Sequence, residues 1–160
     1  MSNIVKIMKF GGTSIGSPER MKALIPLITD KDRKIVVLSA MSGTTNNLVE
    51  INELMYEGNH NEASVKIEEL RAKYHKVVDE LYSTDQYKTT GHELINSHFD
   101  LINNATLKVF TKLQEKSILA QGELISTALV TNLLNEKNIK AALLPALNFM
   151  RIDKDGEPDY

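Results

Sequence analysis

Residues 9 to 16 read Lys9-Phe10-Gly11-Gly12-Thr13-Ser14-Ile15-Gly16 and follow an apolar run, Ile4 to Phe10, that reads as a strand. A lysine, two adjacent glycines and two hydroxyls at the end of a first strand serve few purposes together, and holding a phosphate is one of them. Without a Cβ, the glycines let backbone N–H groups come close to a ligand, and successive N–H groups form a nest for an anion. The lysine adds a point charge. Ser17-Pro18-Glu19 then supplies an N-cap, an N1 proline and a first-turn acid, so the positive end of a helix lies nearby. The stretch matches neither G-x-x-x-x-G-K-[ST] nor G-x-G-x-x-G. Read from spacing alone, it fits a tight βα turn with an incidental lysine as well as it fits a phosphate loop.

Working outward, Lys34 to Ala40 (KIVVLSA) is a β-branched run expected to form a strand covered on both faces, and Ile139 to Leu144 (IKAALL) is a third strand candidate. Between them the apolar spacing is helical. Met21, Leu24, Ile25 and Ile28 mark a first helix, in which Pro26 must bend the backbone or cost it a bond. Asn46 to Gly58 is a second, with Leu48, Ile51 and Met55 on one stripe. A long helix opens at Asn59-x-x-Glu62 and carries Ala63, Ile67, Leu70, Tyr74, Val77 and Leu81. Another opens at Thr90-x-x-Glu93, a capping box, and carries Ile95, Phe99, Ile102, Val109 and Leu113. Their stripes suit an antiparallel helical hairpin over about residues 59–116, or a helix pairing across a dimer. The last helix, Gly122 to Lys137, is apolar nearly all round and so expected to be buried. Strand, helix, strand, a block of helices and a strand argue for an α/β domain with a mainly parallel sheet.

Composition narrows the function. The 160 residues suffice for one domain with a sizeable core, and 42% hydrophobic with 25% charged residues is ordinary for a globular protein. A net charge of −2 offers no footprint for nucleic acid or anionic membrane. The sequence has no cysteine, which removes disulfides and thiol chemistry and fits a reducing cytoplasm. The first residues show no signal-peptide pattern, and no apolar run approaches membrane-spanning length. The expectation is a soluble cytoplasmic protein.

A second loop repeats the design of the first. Leu38 to Leu48 (LSAMSGTTNNL) sets small residues, a glycine and hydroxyls between a strand and a helix. In open parallel sheets ligands lie beyond the carboxyl ends of the strands, so two such loops would share a crevice. Taken singly, Ser42, Thr44 and Thr45 read as turn and N-cap residues; taken with the first loop, they point to a site. Glu123, in Ala120 to Thr127 (AQGELIST), would lie in the first turn of the last helix. The helix's positive end would keep it ionised there, able to hold an ammonium group or simply to stabilise the helix. His60, His75, His92 and His98 show no metal-binding spacing and read as surface or helix-face residues, and Lys31 to Lys34 reads as a solvated turn.

These motifs, in this order, resemble the aspartokinases of the amino-acid kinase family: KFGGTS at Lys9 to Ser14, VLSAMSGTTNNL, GELIST, and FMRIDKDGEPD at Phe149 to Asp159. The resemblance is strongest over the first 48 residues and around Gly122. It implies a three-layer α/β sandwich with a mainly parallel sheet and an inserted helical hairpin. It implies transfer of the γ-phosphoryl group of ATP, carried with Mg²⁺, to the β-carboxylate of L-aspartate, giving 4-phospho-L-aspartate on the way to lysine, threonine and methionine. By resemblance, Lys9, Gly11, Gly12, Thr13 and Ser14 hold the phosphates, with Lys9 the critical residue, while Ser39, Thr45 and Glu123 contact the aspartate. No resident metal site is implied; a homo-oligomer is. Where many aspartokinases carry Asp-x-Arg, this sequence has Pro145-Ala146-Leu147. The polar ending DKDGEPDY reads as cut, so residues 1–160 are expected to be the N-terminal part of a kinase domain, inactive alone. Two other readings stand beside this one: a different amino-acid kinase acting on acetylglutamate, glutamate or UMP, and a non-catalytic ligand-binding or dimerisation module.

Overall fold

The computed structural model describes residues 5–151 and 153. Strands β1 (Val5–Phe10) and β2 (Arg33–Leu38) pair in parallel, with Val5 opposite Arg33 and Phe10 opposite Leu38. Parallel neighbours need a crossover, and here it is a one-turn 3₁₀ helix (Gly12–Ile15) followed by α1 (Pro18–Ile28). Ser17 caps α1 by accepting from Arg20 N–H at 3.4 Å, with Pro18 at the first position, as the sequence indicates. Pro26 is carried inside the helix.

Helices α2 (Thr44–Tyr56), α3 (His60–Leu81), α4 (Asp85–Thr106) and α5 (Lys112–Glu136) complete the fold. Gly58, at φ +78°, turns the chain between α2 and α3 in the left-handed conformation that closes many helices. The predicted hairpin is α3 against α4, and it packs on α2 and α5. Tyr74, Ile95 and Phe99 are wholly buried in it, each contributing about 1.5–3 kcal/mol of hydrophobic stabilisation. Gly91 lets the two helices close up: a Cβ there would lie 2.7 Å from the Tyr82 ring and 2.8 Å from Val78. The Tyr82 hydroxyl donates to Leu129 O at 2.9 Å, tying the hairpin to α5. The histidines do lie on helix faces. His75 Nδ1 is 2.7 Å from His92 Nδ1, so one ring donates and the other accepts, while His98 Nδ1 is 2.6 Å from Gln121 Oε1.

Several boundaries differ from the sequence reading. Ile139 to Leu144 forms no strand, so the sheet of the described residues has two strands. The capping-box reading of Thr90 fails because α4 already runs from Asp85, and the Thr90 hydroxyl donates to Gln86 O inside the helix. Val109 and Leu113 belong to no buried stripe, since α4 stops at Thr106 and they are 85% and 72% exposed. β2 begins at Arg33, one residue before the expected Lys34, and ends at Leu38 rather than Ala40; Asp30 and Asp32 pair with Lys6 and Lys34 beside the strands.

Helix α5 begins ten residues before Gly122 and, by length and composition alone, would suffice to cross a membrane. Reading Gly122 as a helix start had hidden that length. Here Ile125, Leu129 and Leu133 of α5 lie in the protein core. The sheet is also unlike the double-covered strand expected from β2. Met8, Phe10, Val36 and Leu38 pack on the helical core, whereas Val5, Ile7, Ile35 and Val37 on the opposite face are 41–72% exposed. Helices cover one face of this parallel pair, so the described residues show two layers of the expected three-layer α/β sandwich, and the carboxyl ends of both strands reach the same edge.

Candidate functional site

At that edge the first loop lies against the second. Ser39 N–H donates to Phe10 O at 3.1 Å, continuing the sheet pairing for one residue beyond β2. Gly12 is then pressed on the second loop: a Cβ there would lie 2.7 Å from Ala40 O and 3.7 Å from Ser42 N. Glycine is needed at this point because the two backbones nearly touch. Gly11 is in extended backbone (φ −77°, ψ 168°), and its carbonyl accepts from Ser14 N–H at 2.9 Å. Lys9 Nζ lies 3.9 Å from where a Gly11 Cβ would be, so the ammonium folds over the loop rather than extending from the strand. Thr13 and Ser14 stay exposed on the 3₁₀ turn, and the Arg20 guanidinium donates to Thr13 O. On the α1 side of this loop is a shallow depression of about 330 Å³, floored by Phe10, Leu24 and Leu27.

Helix α5 closes the arrangement from below. Gly122 packs so tightly that a Cβ would sit 2.7 Å from Ala40 Cβ and 3.3 Å from Thr44 Cγ2. One turn of α5 then offers two acceptors to the second loop: Glu123 Oε1 accepts from Ala40 N–H at 3.2 Å, and Ser126 Oγ from Met41 N–H at 3.0 Å. Ser126 completes its valence by donating to Gly122 O at 3.0 Å. Gly43, at φ +80°, turns the loop into α2, leaving the next two residues on opposite sides of the helix start. Thr44 is buried and its hydroxyl meets the Tyr74 hydroxyl at 2.7 Å, while Thr45 is exposed.

The structure brings Gly12 and Glu123 onto Ala40, next to Ser39, and sets the Lys9 ammonium beside Gly11 on the first loop, with Thr45 at the start of α2. The reason given for Glu123 needs correction. It is not in a first turn but about three turns into α5, and the field of a helix end fades within one turn. Its fixed contact is the Ala40 N–H. Sequence reasoning missed Ser126 and Tyr74 as partners of the second loop, since nothing in the spacing links residues 30 to 85 positions away. GELIST already contained Ser126, and a serine on a buried helix face was the one available signal.

Two glycine-containing loops thus meet at one edge of a parallel sheet, with a lysine folded over the first, in an α/β domain. Residues 5–158 match the family model of the amino acid kinase family, and the chain belongs to that family. Within it, the resemblance to aspartokinases read from the motifs holds. The chain is 30% identical over 163 residues to lysine-sensitive aspartokinase 3 of Escherichia coli (strain K12), covering 99% of this chain and 35% of that protein. It is 32% identical over 157 residues to the chloroplastic aspartokinase 1 of Arabidopsis thaliana, covering 95% of this chain and 27% of that protein. The crystal structure of E. coli aspartokinase III in complex with aspartate and ADP, its R-state, superposes with a TM-score of 0.77 at 26% identity, over 98% of this chain and 35% of the other. The chain thus spans about a third of the length of these relatives, or less.

Proposed function

We propose that residues 1–160 form the phosphate-loop and substrate-loop part of an aspartate kinase. ATP and L-aspartate are the substrates, and ADP and 4-phospho-L-aspartate the products. A β-carboxylate oxygen of aspartate attacks the γ-phosphorus, the bond to the β,γ-bridging oxygen breaks, and ADP leaves with that electron pair. The nucleophile is already ionised near neutral pH, so no general base is required. What remains for the protein is alignment and neutralisation of spread negative charge. Lys9 and the N–H groups of Gly11 and Gly12 supply this at the transferring phosphoryl group, with Thr13 and Ser14 on the same loop. Ser39 and Thr45 contact the aspartate. Glu123 has a division of labour: one carboxylate oxygen fixes the loop through Ala40 N–H, and the other is open to the α-ammonium.

Mg²⁺ supplies further charge neutralisation when it arrives with the nucleotide. Magnesium in nucleotide sites is usually bound through the substrate phosphates, water and one or two carboxylates. In this reading the reaction is cytoplasmic, where ATP and aspartate are both available. The exposed Val5, Ile7, Ile35 and Val37 face supports burial against further polypeptide, including a homo-oligomer.

The observation that carries the reading is the meeting of both loops and α5 at Ala40, with the Lys9 ammonium over the first loop. Titration of the chain with Mg·ATP, followed by calorimetry, tests it. Wild type should bind, and Lys9→Ala should weaken binding at least tenfold while leaving the unfolding midpoint unchanged. Equal binding by both would remove the phosphate-loop assignment. Alone, the chain should show no turnover of aspartate and Mg·ATP; turnover abolished by Lys9→Ala would refute that part.

A further inference from the structure

Beneath the second loop, the polar contacts extend to a residue outside the crevice. Tyr74 of α3 is fully buried, and its hydroxyl lies 2.7 Å from the equally buried Thr44 Oγ1. Thr44 opens α2, directly after Gly43 and directly before Thr45. Its N–H closes the loop on Met41 O at 2.9 Å, and Met41 N–H in turn donates to Ser126 Oγ. Packing alone would ask only for a phenyl ring here, since the Tyr74 ring already lies 5.9 Å from that of Phe99 in the hairpin. A buried hydroxyl without a partner is costly, so a tyrosine with its oxygen on Thr44 is a fixed link, not a filler. Burial pushes this hydroxyl's pKa up to about 12, against the hydrogen bonds to Thr44 and Ser126 and with help from the Glu123 charge. At neutral pH it is a neutral hydrogen-bonding group and no acid or base.

We infer that Tyr74 is a positioning residue: through Thr44 it fixes the loop that carries Ala40, Met41 and Thr45, and so couples the helical hairpin to the aspartate side of the crevice. The consequence for aspartate rests on the proposed function above; the brace itself does not. Tyr74→Phe removes one oxygen and leaves the ring in place. Amide hydrogen exchange should then speed up by roughly fivefold at residues 40–45, the size expected for one lost net hydrogen bond. Thr44→Val should do the same, and the double variant should add nothing further. Ile95→Val, which trims the buried hairpin elsewhere, should leave loop exchange no faster than that of the chain as a whole.

In parallel, L-aspartate and Mg·ATP are titrated separately into each variant while the loop amide resonances are followed. Tyr74→Phe should weaken aspartate binding several-fold and leave Mg·ATP within twofold. An exchange increase spread evenly over the chain, additive single variants, or equal losses for both ligands would each reduce Tyr74 to a core residue and overturn the inference. If wild type shows no response to aspartate, the substrate assignment fails instead, and the exchange pattern alone decides the brace.

Discussion

In the hairpin, α3 and α4 meet through Tyr74, Val78, Ile95 and Phe99, none of which exposes any surface. At the crevice, Lys9, Thr13, Ser14, Thr45 and Glu123 all stay exposed, and order comes from backbone N–H groups held by Glu123 and Ser126 and from glycines at van der Waals limits. The hairpin spends its side chains largely on burial, with its helices meeting through apolar and aromatic groups. The crevice uses side chains to hold backbone, leaving lysine, hydroxyls and one carboxylate oxygen facing outward. Buried packing and exposed polar groups are thus separated in space, joined where the hydroxyl of Tyr74 reaches Thr44.

That separation can be broken or sharpened by substitution. The largest effect should come from Phe99→Ala, which removes a fully buried ring. Urea denaturation should show a loss of about 3–5 kcal/mol, with ligand affinity unchanged in the fraction still folded. Gly12→Ala comes next. Its new methyl would meet Ala40 O at 2.7 Å, so the loops must part; the expected cost is about 1–3 kcal/mol of stability, together with a loss of Mg·ATP binding that calorimetry detects. If Gly12→Ala bound nucleotide normally, contact between the loops would be irrelevant to the site.

The smallest effect concerns the hairpin's far end. Glu136 Oε1 accepts from Ser83 N–H and Thr84 N–H, both at 2.8 Å, fastening α5 to the start of α4. Burial pushes its pKa up, but the N–H groups of Thr84 and Ser83, the Thr84 hydroxyl and the Lys137 charge outweigh that, holding the carboxyl below its ordinary 4.5. A pKa lower in the folded chain than in the unfolded one adds stability above the ordinary value. That contribution disappears as pH falls through the folded value. Urea midpoints measured from pH 7 into the acid range should fall less steeply for Glu136→Gln than for wild type, and the crevice should be indifferent.

The two regions also differ in how much of them could be read in advance. The α3 stripe was legible in full: Ala63, Ile67, Leu70, Tyr74, Val77 and Leu81 are all buried, as helical spacing requires. The stripe read for α4 misled only beyond Thr106, where Val109 and Leu113 kept the spacing after the helix had ended. Ile139 to Leu144 has strand-like composition, but a strand exists only through a partner's hydrogen bonds, and these residues have none from the described sheet. At the crevice the glycines and Lys9 stood out because they break the local pattern. Glu123 was read as a first-turn acid, which it is not, and neither Ser126 nor Tyr74 was read as a partner of the second loop.

The order of the chain's residues determined its helical faces, its phosphate-loop signature and its resemblance to the aspartokinases, because periodicity and glycine placement act over a few residues. Tertiary structure alone decided that Glu123 and Ser126 hold Ala40 and Met41, that Tyr74 reaches Thr44, and that Val5, Ile7, Ile35 and Val37 are exposed on one face of the sheet. These contacts join residues 30 to 85 positions apart. Their existence depends on how helices pack, and no local spacing encodes that.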